Sequence, residues 1–176
     1  MNFDELLLKR YSCRNYIDKE VSLDDIIKIV NAGRLSPSAR NCQPCEYYVI
    51  RGKEKVEQIR TELQRPGFNK FVPNVSSFIV IALNEAMYKT KLDGLMRDFT
   101  DIDTGIAVHA MALEATNIGL ATCIMGGFDY DGIARLVGIK DSGRVRLVLA
   151  VGYSNDGKIQ DKNERRKRME EVVKYY

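Results

Sequence analysis

The amino-terminal part of the sequence carries two arginines and a serine at alternate positions. Arg10, Ser12 and Arg14 directly follow an apolar-patterned segment at residues 2–9. In an extended chain alternate side chains share one face, so two guanidinium groups and a hydroxyl would point the same way. Guanidinium groups bind phosphate oxygens in pairs, and a serine hydroxyl adds another donor. These residues are a candidate phosphate site; a basic surface turn is the alternative interpretation.

A second candidate region is the polar stretch at residues 36–44, Ser-Pro-Ser-Ala-Arg-Asn-Cys-Gln-Pro, which precedes an apolar run. Its composition predicts a loop. The amides of Asn41 and Gln43 offer both donors and acceptors, and such groups can bind the edge of a heterocycle that displays both. A plain turn is again the alternative.

A third candidate is the glycine pair Gly126-Gly127, which follows an apolar segment at about residues 121–125. Two glycines at the end of a strand allow a ligand to approach the backbone closely, or simply form a turn. A dense basic run at residues 165–168 is either a solvated tail or an arm that binds an anion.

The four cysteines, Cys13, Cys42, Cys45 and Cys123, do not suggest a disulfide framework. Cys42 and Cys45 form a Cys-x-x-Cys pair, but the pair precedes a predicted strand, whereas thiol-redox cysteines usually begin a helix after a strand. A metal site from Cys42, Cys45, Cys123 and His109 would have suitable ligand types but lacks a second close pair. Thiol redox chemistry and metal binding remain alternatives, and we expect no bound metal.

Composition limits the class of protein. The chain has 176 residues, of which 45% are hydrophobic and 29% charged, so we expect one domain spanning residues 1–176. No apolar run of about 18 residues predicts a transmembrane helix. The first residues lack the order of a secretory signal, so a cytoplasmic protein is expected. A net charge of +3 does not itself indicate nucleic-acid binding, although a polyanion-binding module using residues 165–168 is an alternative.

Periodicity predicts helices that alternate with apolar strands, which indicates an α+β or α/β layered domain with one sheet flanked by helices. Asp103 is the expected N-cap of a long helix, Ser22 begins another, and Gly33 is its expected stop. The predicted helices cover residues 2–9, 22–33, 53–63, 104–118 and 130–136, and the predicted strands cover residues 46–50, 78–83, 121–125 and 145–151. The helix at residues 104–118 is apolar around nearly its whole circumference, which suggests a subunit interface as well as a core.

Taken in order along the chain, these segments resemble the FMN-dependent nitroreductase family. Arg10 to Arg14 resembles the family's Arg-x-Ser-x-Arg motif, and residues 37–44 resemble its Pro-Ser-x-x-Asn-x-Gln-Pro loop. Residues 103–107 and 119–123 resemble the family's central dimer helix and the strand after it. Residues 166–173 resemble its C-terminal signature.

The resemblance implies a fold, a cofactor and a set of binding residues. The fold would be α+β with α/β/α layers, a central, mostly antiparallel sheet, and a C-terminal tail docking on the partner subunit of a homodimer. FMN would bind at the dimer interface, Gly126 and Gly127 would approach the ring near N5 through backbone atoms only, and Asn69 and Lys70 would reach the pyrimidine edge. The phosphate and ribityl chain would be bound by Arg10, Ser12, Arg14 and either Arg166 or its neighbour Arg165. The ring would be lined by Pro37, Ser38 and Asn41, part of this loop serving the partner's flavin.

The activity implied by the resemblance is hydride transfer from NADH or NADPH through flavin N5 to an oxidised acceptor, such as a nitroaromatic or a quinone, by a ping-pong mechanism. No protein side chain would act as catalytic acid or nucleophile, because the flavin carries out the chemistry. The partners would be a second subunit and a small-molecule acceptor, with no nucleic acid or membrane. A flavin-binding protein without turnover is a further alternative.

Overall fold

The computed structural model describes residues 2–89, 99–156 and 166–176. Three of the described helices begin at a side-chain cap: the Asn2 side-chain oxygen accepts the Glu5 N–H, the Ser22 hydroxyl accepts the Asp25 N–H, and the Asp129 carboxylate accepts the Gly132 N–H. The helices are α1 Phe3–Lys9, α2 Leu23–Arg34, α3 Lys53–Gln64, α4 Glu85–Lys89, α5 Thr100–Asn117, α6 Tyr130–Val137 and α7 Met169–Val172. The strands are β1 Tyr16–Ile17, β2 Cys45–Ile50, β3 Ser77–Leu83, β4 Ala121–Met125 and β5 Val145–Ser154.

The sheet is built around β5. Within the described residues all pairs of named strands are antiparallel, and β5 pairs with β1, β3 and β4, while β2 pairs with β3. The expected antiparallel sheet is therefore confirmed. The two-residue strand β1 was not predicted from the sequence, because two residues are too few to show a period.

Helices cover both faces of this sheet. All seven residues of β3 are buried, as expected for a strand with a layer on each side. Phe78 and Val80 belong to a core cluster with residues of α3 and α6, whereas Ile79 and Ile81 belong to one with residues of α2 and α5. Successive side chains thus enter opposite cores, which confirms the α/β/α layering.

Two of the predicted helix boundaries are wrong. Helix α5 begins at Thr100, so Asp103 lies in its first turn and is not the N-cap. Helix α2 continues through Gly33 to Arg34. Gly33 is a packing glycine: a Cβ there would come within 2.8 Å of Met111 and 3.0 Å of the Tyr47 hydroxyl.

Helix α5 is not buried on all sides within one chain. Ile102 and Ile106 are 53% and 40% exposed, and His109 is exposed beside them. The end of the chain is exposed too, including Met169 and Val172 of α7. These two apolar surfaces are where the expected subunit contact and the docking of the tail would occur. Among the described helices, none is long and apolar enough to cross a membrane.

Candidate functional site

The segment that carries Arg10, Ser12 and Arg14 runs beside the start of β4. The Cys13 N–H donates to the Thr122 carbonyl at 2.8 Å, and Ser12 bridges the same residue in parallel. Cys13 is fully buried, whereas Ser12 and Arg14 on either side of it are exposed and Arg10 is half-buried. The alternation expected from the sequence is present, so the three polar side chains leave the segment on its outer side.

Arg166, from the far end of the chain, lies close to this segment. Burial, and then repulsion from the Arg166 guanidinium, lower the pKa of Arg10. Among the described residues no carboxylate pairs with Arg10, Arg14 or Arg166. We call Arg10, Ser12, Arg14 and Arg166 the arginine cluster. It is a concentration of positive charge that an anion would neutralise. Arg165 lies outside the described residues.

Two further groups lie under the arginine cluster. The Arg14 guanidinium is 6.0 Å from the centroid of the Phe71 ring, at the outer limit of a cation–π contact. Burial raises the pKa of the Cys123 thiol on β4, and the Arg14 and Arg10 charges oppose that effect. Arg14 and Arg10 are thus both near the first residues of β4.

The second predicted region, residues 36–44, is a compact structure with many internal hydrogen bonds; together with Cys45, the first residue of β2, we call it the 36–45 loop. The Ser38 hydroxyl accepts the Gln43 N–H at 3.0 Å, and the Ser38 carbonyl accepts the Asn41 N–H at 2.9 Å. Pro37 and Ser38 line a cavity of about 140 Å³ together with Cys45, Tyr47 and other residues. Asn41 is exposed at the outer side of the loop.

The backbone of the 36–45 loop is strained. Arg40, Asn41 and Gln43 have φ angles of 54°, 55° and 46°, in the left-handed region that costs a residue with a Cβ energy. Three such residues in four positions persist only if surrounding contacts hold them. Asp103 supplies such contacts: its buried carboxylate accepts the Ala39 N–H with both oxygens, at 3.1 and 3.2 Å.

The arginine cluster and the 36–45 loop lie at opposite ends of α5. Asp103, which contacts the loop, is in the first turn of the helix, whereas Thr116 shares a surface cavity with Lys9, the last residue of α1, and with Tyr11, which lies between Arg10 and Ser12. Along the axis of an α-helix Asp103 and Thr116 are about 20 Å apart. The structure therefore does not bring Arg10, Ser12 and Arg14 together with Pro37, Ser38 and Asn41 within one chain.

Gly126 and Gly127 lie at the far end of β4 from the arginine cluster, about 13 Å along the strand from Thr122. Neither glycine has a positive φ, so no turn conformation requires them. A Cβ on Gly127 would come within 3.1 Å of the Phe68 ring. The group that approaches the Gly127 backbone in this structure is the Phe68 ring, and the close approach of a ligand stays a prediction.

The side chain of Asn69, which was expected to reach the pyrimidine edge, is bound to the protein backbone. Its Nδ2 donates to the Leu63 carbonyl at 3.0 Å and to the Gly127 carbonyl at 2.7 Å. Both amide hydrogens are committed to the backbone, so only its side-chain oxygen is left to accept a hydrogen bond from a ligand. Lys70 is exposed beside it.

The chemistry of the cysteines argues against a thiol-redox site. Burial and then the nearby Asp103 carboxylate raise the pKa of the Cys42 thiol, and burial raises the pKa of Cys45. A redox-active cysteine needs a lowered pKa to form the thiolate. Within residues 2–89, 99–156 and 166–176 no three His, Cys, Asp or Glu side chains are grouped as metal ligands.

Sequence reasoning missed two sets of contacts. One is the bond between Asp103 and Ala39, because Asp103 carried only the signal of a helix N-cap. The other set joins Asp156, just after β5, to the chain around Ser12 and Arg14. Asp156 accepts hydrogen bonds from the Tyr11 hydroxyl at 2.8 Å and from the Asn15 amide at 3.1 Å. No local pattern could reveal it, since the partners are far apart in sequence.

Comparison with known proteins gives a consistent result. The model of the nitroreductase family matches residues 7–66 and 58–153. A curated protein from Archaeoglobus fulgidus, named "Putative NADH dehydrogenase/NAD(P)H nitroreductase", is 28% identical over 158 residues, covering 88% of this chain and 86% of that protein.

Solved structures share the fold over nearly the whole chain. A nitroreductase family protein from Clostridium difficile 630 is 30% identical with a TM-score of 0.80, covering 99% of this chain and 98% of that one. A nitroreductase-named structure in complex with FMN, from Desulfovibrio desulfuricans, covers 100% of this chain and 98% of its own with a TM-score of 0.77. At 21% identity the second likeness concerns the fold alone.

Proposed function

This chain belongs to the nitroreductase family, and we propose that it is an FMN-dependent oxidoreductase which takes reducing equivalents from NADH or NADPH. The observation that carries this proposal is the arginine cluster: Arg10 and Arg14 both lie near Cys123 of β4, Arg166 lies close enough to Arg10 to repel it, and none of the three has a carboxylate partner among the described residues. Like charges held together in this way favour a phosphate ligand. The FMN-bound structure from Desulfovibrio desulfuricans shares the fold and supports the choice of cofactor.

The residues present fit FMN along β4. The arginine cluster would bind the phosphate at the beginning of the strand, with Ser12 adding a hydroxyl. Gly126 and Gly127, about 13 Å further along, would allow the ring to lie against the backbone. The side-chain oxygen of Asn69 would accept a hydrogen bond from the ring edge, because its amide hydrogens are already used.

We propose that the site is completed by a second copy of the chain. Pro37, Ser38 and Asn41 are expected to line the flavin ring, yet they lie at the other end of α5 from the arginine cluster of their own chain. A homodimer that pairs the exposed face of α5 would let the 36–45 loop of one subunit serve the flavin of its partner. The exposed residues Ile102, Ile106 and Met169 are the apolar surface that such contacts would bury.

When bound, the flavin would supply the chemistry of hydride transfer between a nicotinamide and an acceptor. The protein's own residues would bind, orient and balance charge. Of the two candidate cations, Arg14 would lie at the phosphate end, and Lys70, beside Asn69, would place positive charge near the ring. No described side chain needs to act as an acid or nucleophile. We propose that the nicotinamide and an acceptor such as a nitroaromatic or a quinone use the same open face in turn.

The test is spectroscopic. Purified protein is titrated with FMN, and its visible spectrum is recorded before and after anaerobic addition of NADH or NADPH. Saturable FMN binding followed by bleaching of the flavin bands supports the proposal, and addition of p-benzoquinone should then restore the bands. Binding without bleaching would indicate a flavin protein without turnover. Failure to bind FMN would refute the proposal and favour a polyanion-binding module.

A further inference from the structure

The carboxylate of Asp103 is buried, so its charge requires hydrogen-bond partners. The residue is 5% exposed, and a buried carboxylate without hydrogen bonds would be costly. Its partners are the Ala39 N–H and the Cys42 thiol, whose sulphur is 3.6 Å from one carboxylate oxygen. Both partners belong to the 36–45 loop, and neither belongs to α5 itself. The Asp103 carboxylate thus bonds to the loop, although the residue itself belongs to α5.

These contacts bracket the strained part of the loop. Ala39 precedes and Cys42 follows the residues Arg40 and Asn41, whose φ angles are 54° and 55°. A single buried carboxylate therefore contacts the residues on both sides of Arg40 and Asn41, while the third left-handed residue, Gln43, donates its N–H to the Ser38 hydroxyl. Left-handed residues with a Cβ persist where the surrounding structure determines them, and such strain is concentrated in segments that contact ligands.

From these contacts we propose that Asp103 is a positioning residue, which holds the 36–45 loop in the one conformation that receives the flavin ring. The inference rests on the proposed function and adds to it a residue that does not itself touch the cofactor. The loop is further fixed by the Asn84 side chain, which donates to the Gln43 carbonyl, and by the Pro44 carbonyl, which accepts the Asn84 N–H. A loop held in its bound conformation loses little entropy when the ring arrives.

The experiment compares Asp103→Asn with Asp24→Asn. Asp24 lies, like Asp103, in the first turn of its helix and loses the same charge, but it is exposed, belongs to α2, and lies at the end of α2 remote from the 36–45 loop. Three measurements are made on each protein: the FMN dissociation constant, the visible spectrum of bound FMN, and the alkylation rate of Cys42 in the apoprotein, located by peptide mass spectrometry.

For Asp103→Asn we expect the FMN dissociation constant to rise about tenfold, from loss of a charged hydrogen-bond acceptor. The flavin bands should shift toward those of free FMN, and Cys42 should be alkylated several times faster. Asp24→Asn should match the wild type in all three measurements. If Asp103→Asn also matches the wild type, the inference is overturned while the proposed function stands. A wild-type protein that binds no FMN overturns both.

Cys42→Ala gives an independent test should Asp103→Asn fail to fold. It removes the weaker donor and leaves the Ala39 N–H, so we expect a rise of about threefold in the FMN dissociation constant with the same direction of spectral shift. An unchanged constant and spectrum for Cys42→Ala, in a wild-type background that binds FMN, would contradict a positioning role for these contacts.

Discussion

The two regions expected to contact the cofactor differ in what they lack. The arginine cluster lacks a negative charge to balance it: Arg10 and Arg166 repel one another, and Ser12 and Arg14 face solvent. The 36–45 loop is held by hydrogen bonds, with its strained backbone bonded to the Ser38 hydroxyl and to the Asp103 carboxylate. The cluster is thus suited to supply binding energy once an anion arrives, and the loop to supply a fixed geometry in advance.

The arginine cluster and the 36–45 loop also lie far apart within one chain. Since α5 separates the two regions by about 20 Å within one chain, one cofactor can use both only if two subunits contribute. The following predictions test this division of roles, beginning with the change that should affect both regions at once.

Ile106→Glu should abolish both dimerisation and FMN binding. The change places a charge on the exposed apolar face of α5, where burial in a subunit contact would be costly. Analytical ultracentrifugation and FMN titration measure the two effects. Val49→Glu is the matched control, because Val49 is 39% exposed against 40% for Ile106 and lies on β2. A dimeric Ile106→Glu protein with wild-type affinity would disprove a site shared through this face.

Arg14→Ala should weaken FMN binding about a hundredfold, because a guanidinium that binds phosphate contributes paired, charge-assisted hydrogen bonds. Isothermal titration calorimetry provides the dissociation constant. Arg135→Ala removes another exposed guanidinium group, on α6 and outside the arginine cluster, and should leave the constant unchanged. Retention of stoichiometric yellow cofactor by Arg14→Ala would show that the phosphate assignment is wrong.

Arg166→Ala should weaken FMN binding by a smaller factor, about tenfold, since Arg10 and Arg14 would remain and the repulsion on Arg10 would be relieved. The neighbouring Arg168→Ala is the control, because Arg168 pairs at the surface with Glu170. Equal dissociation constants for the two variants would assign the tail contact to another residue, for which Arg165→Ala is the next variant to measure.

Gly33→Ala should have the smallest effect, a loss of about 1 kcal/mol in the free energy of unfolding with little change in FMN affinity. The added methyl group meets Met111, whose side chain is flexible enough to move. Urea denaturation measures the change. A large loss of FMN affinity without loss of stability would mean that Gly33, just before the 36–45 loop, controls the conformation of the loop more strongly than its packing suggests.

The sequence alone determined the features that depend on near neighbours along the chain. The Ser22 cap, the helix at Lys53–Gln64, the buried strand β3 and the alternation of Ser12, Cys13 and Arg14 were all predictable. Each depends on residues that are only a few positions apart, so their side-chain pattern is sufficient to specify them.

The tertiary structure decided the contacts between residues that are distant in sequence. These include the central position of β5 in the sheet, the approach of Arg166 to Arg10, and the attachment of Asp103 to Ala39, 64 residues away. An aspartate near the start of a helix carries the same local signal whether it caps its own helix or holds a loop. Only the packing of α5 against the neighbouring elements determines which backbone N–H its carboxylate meets.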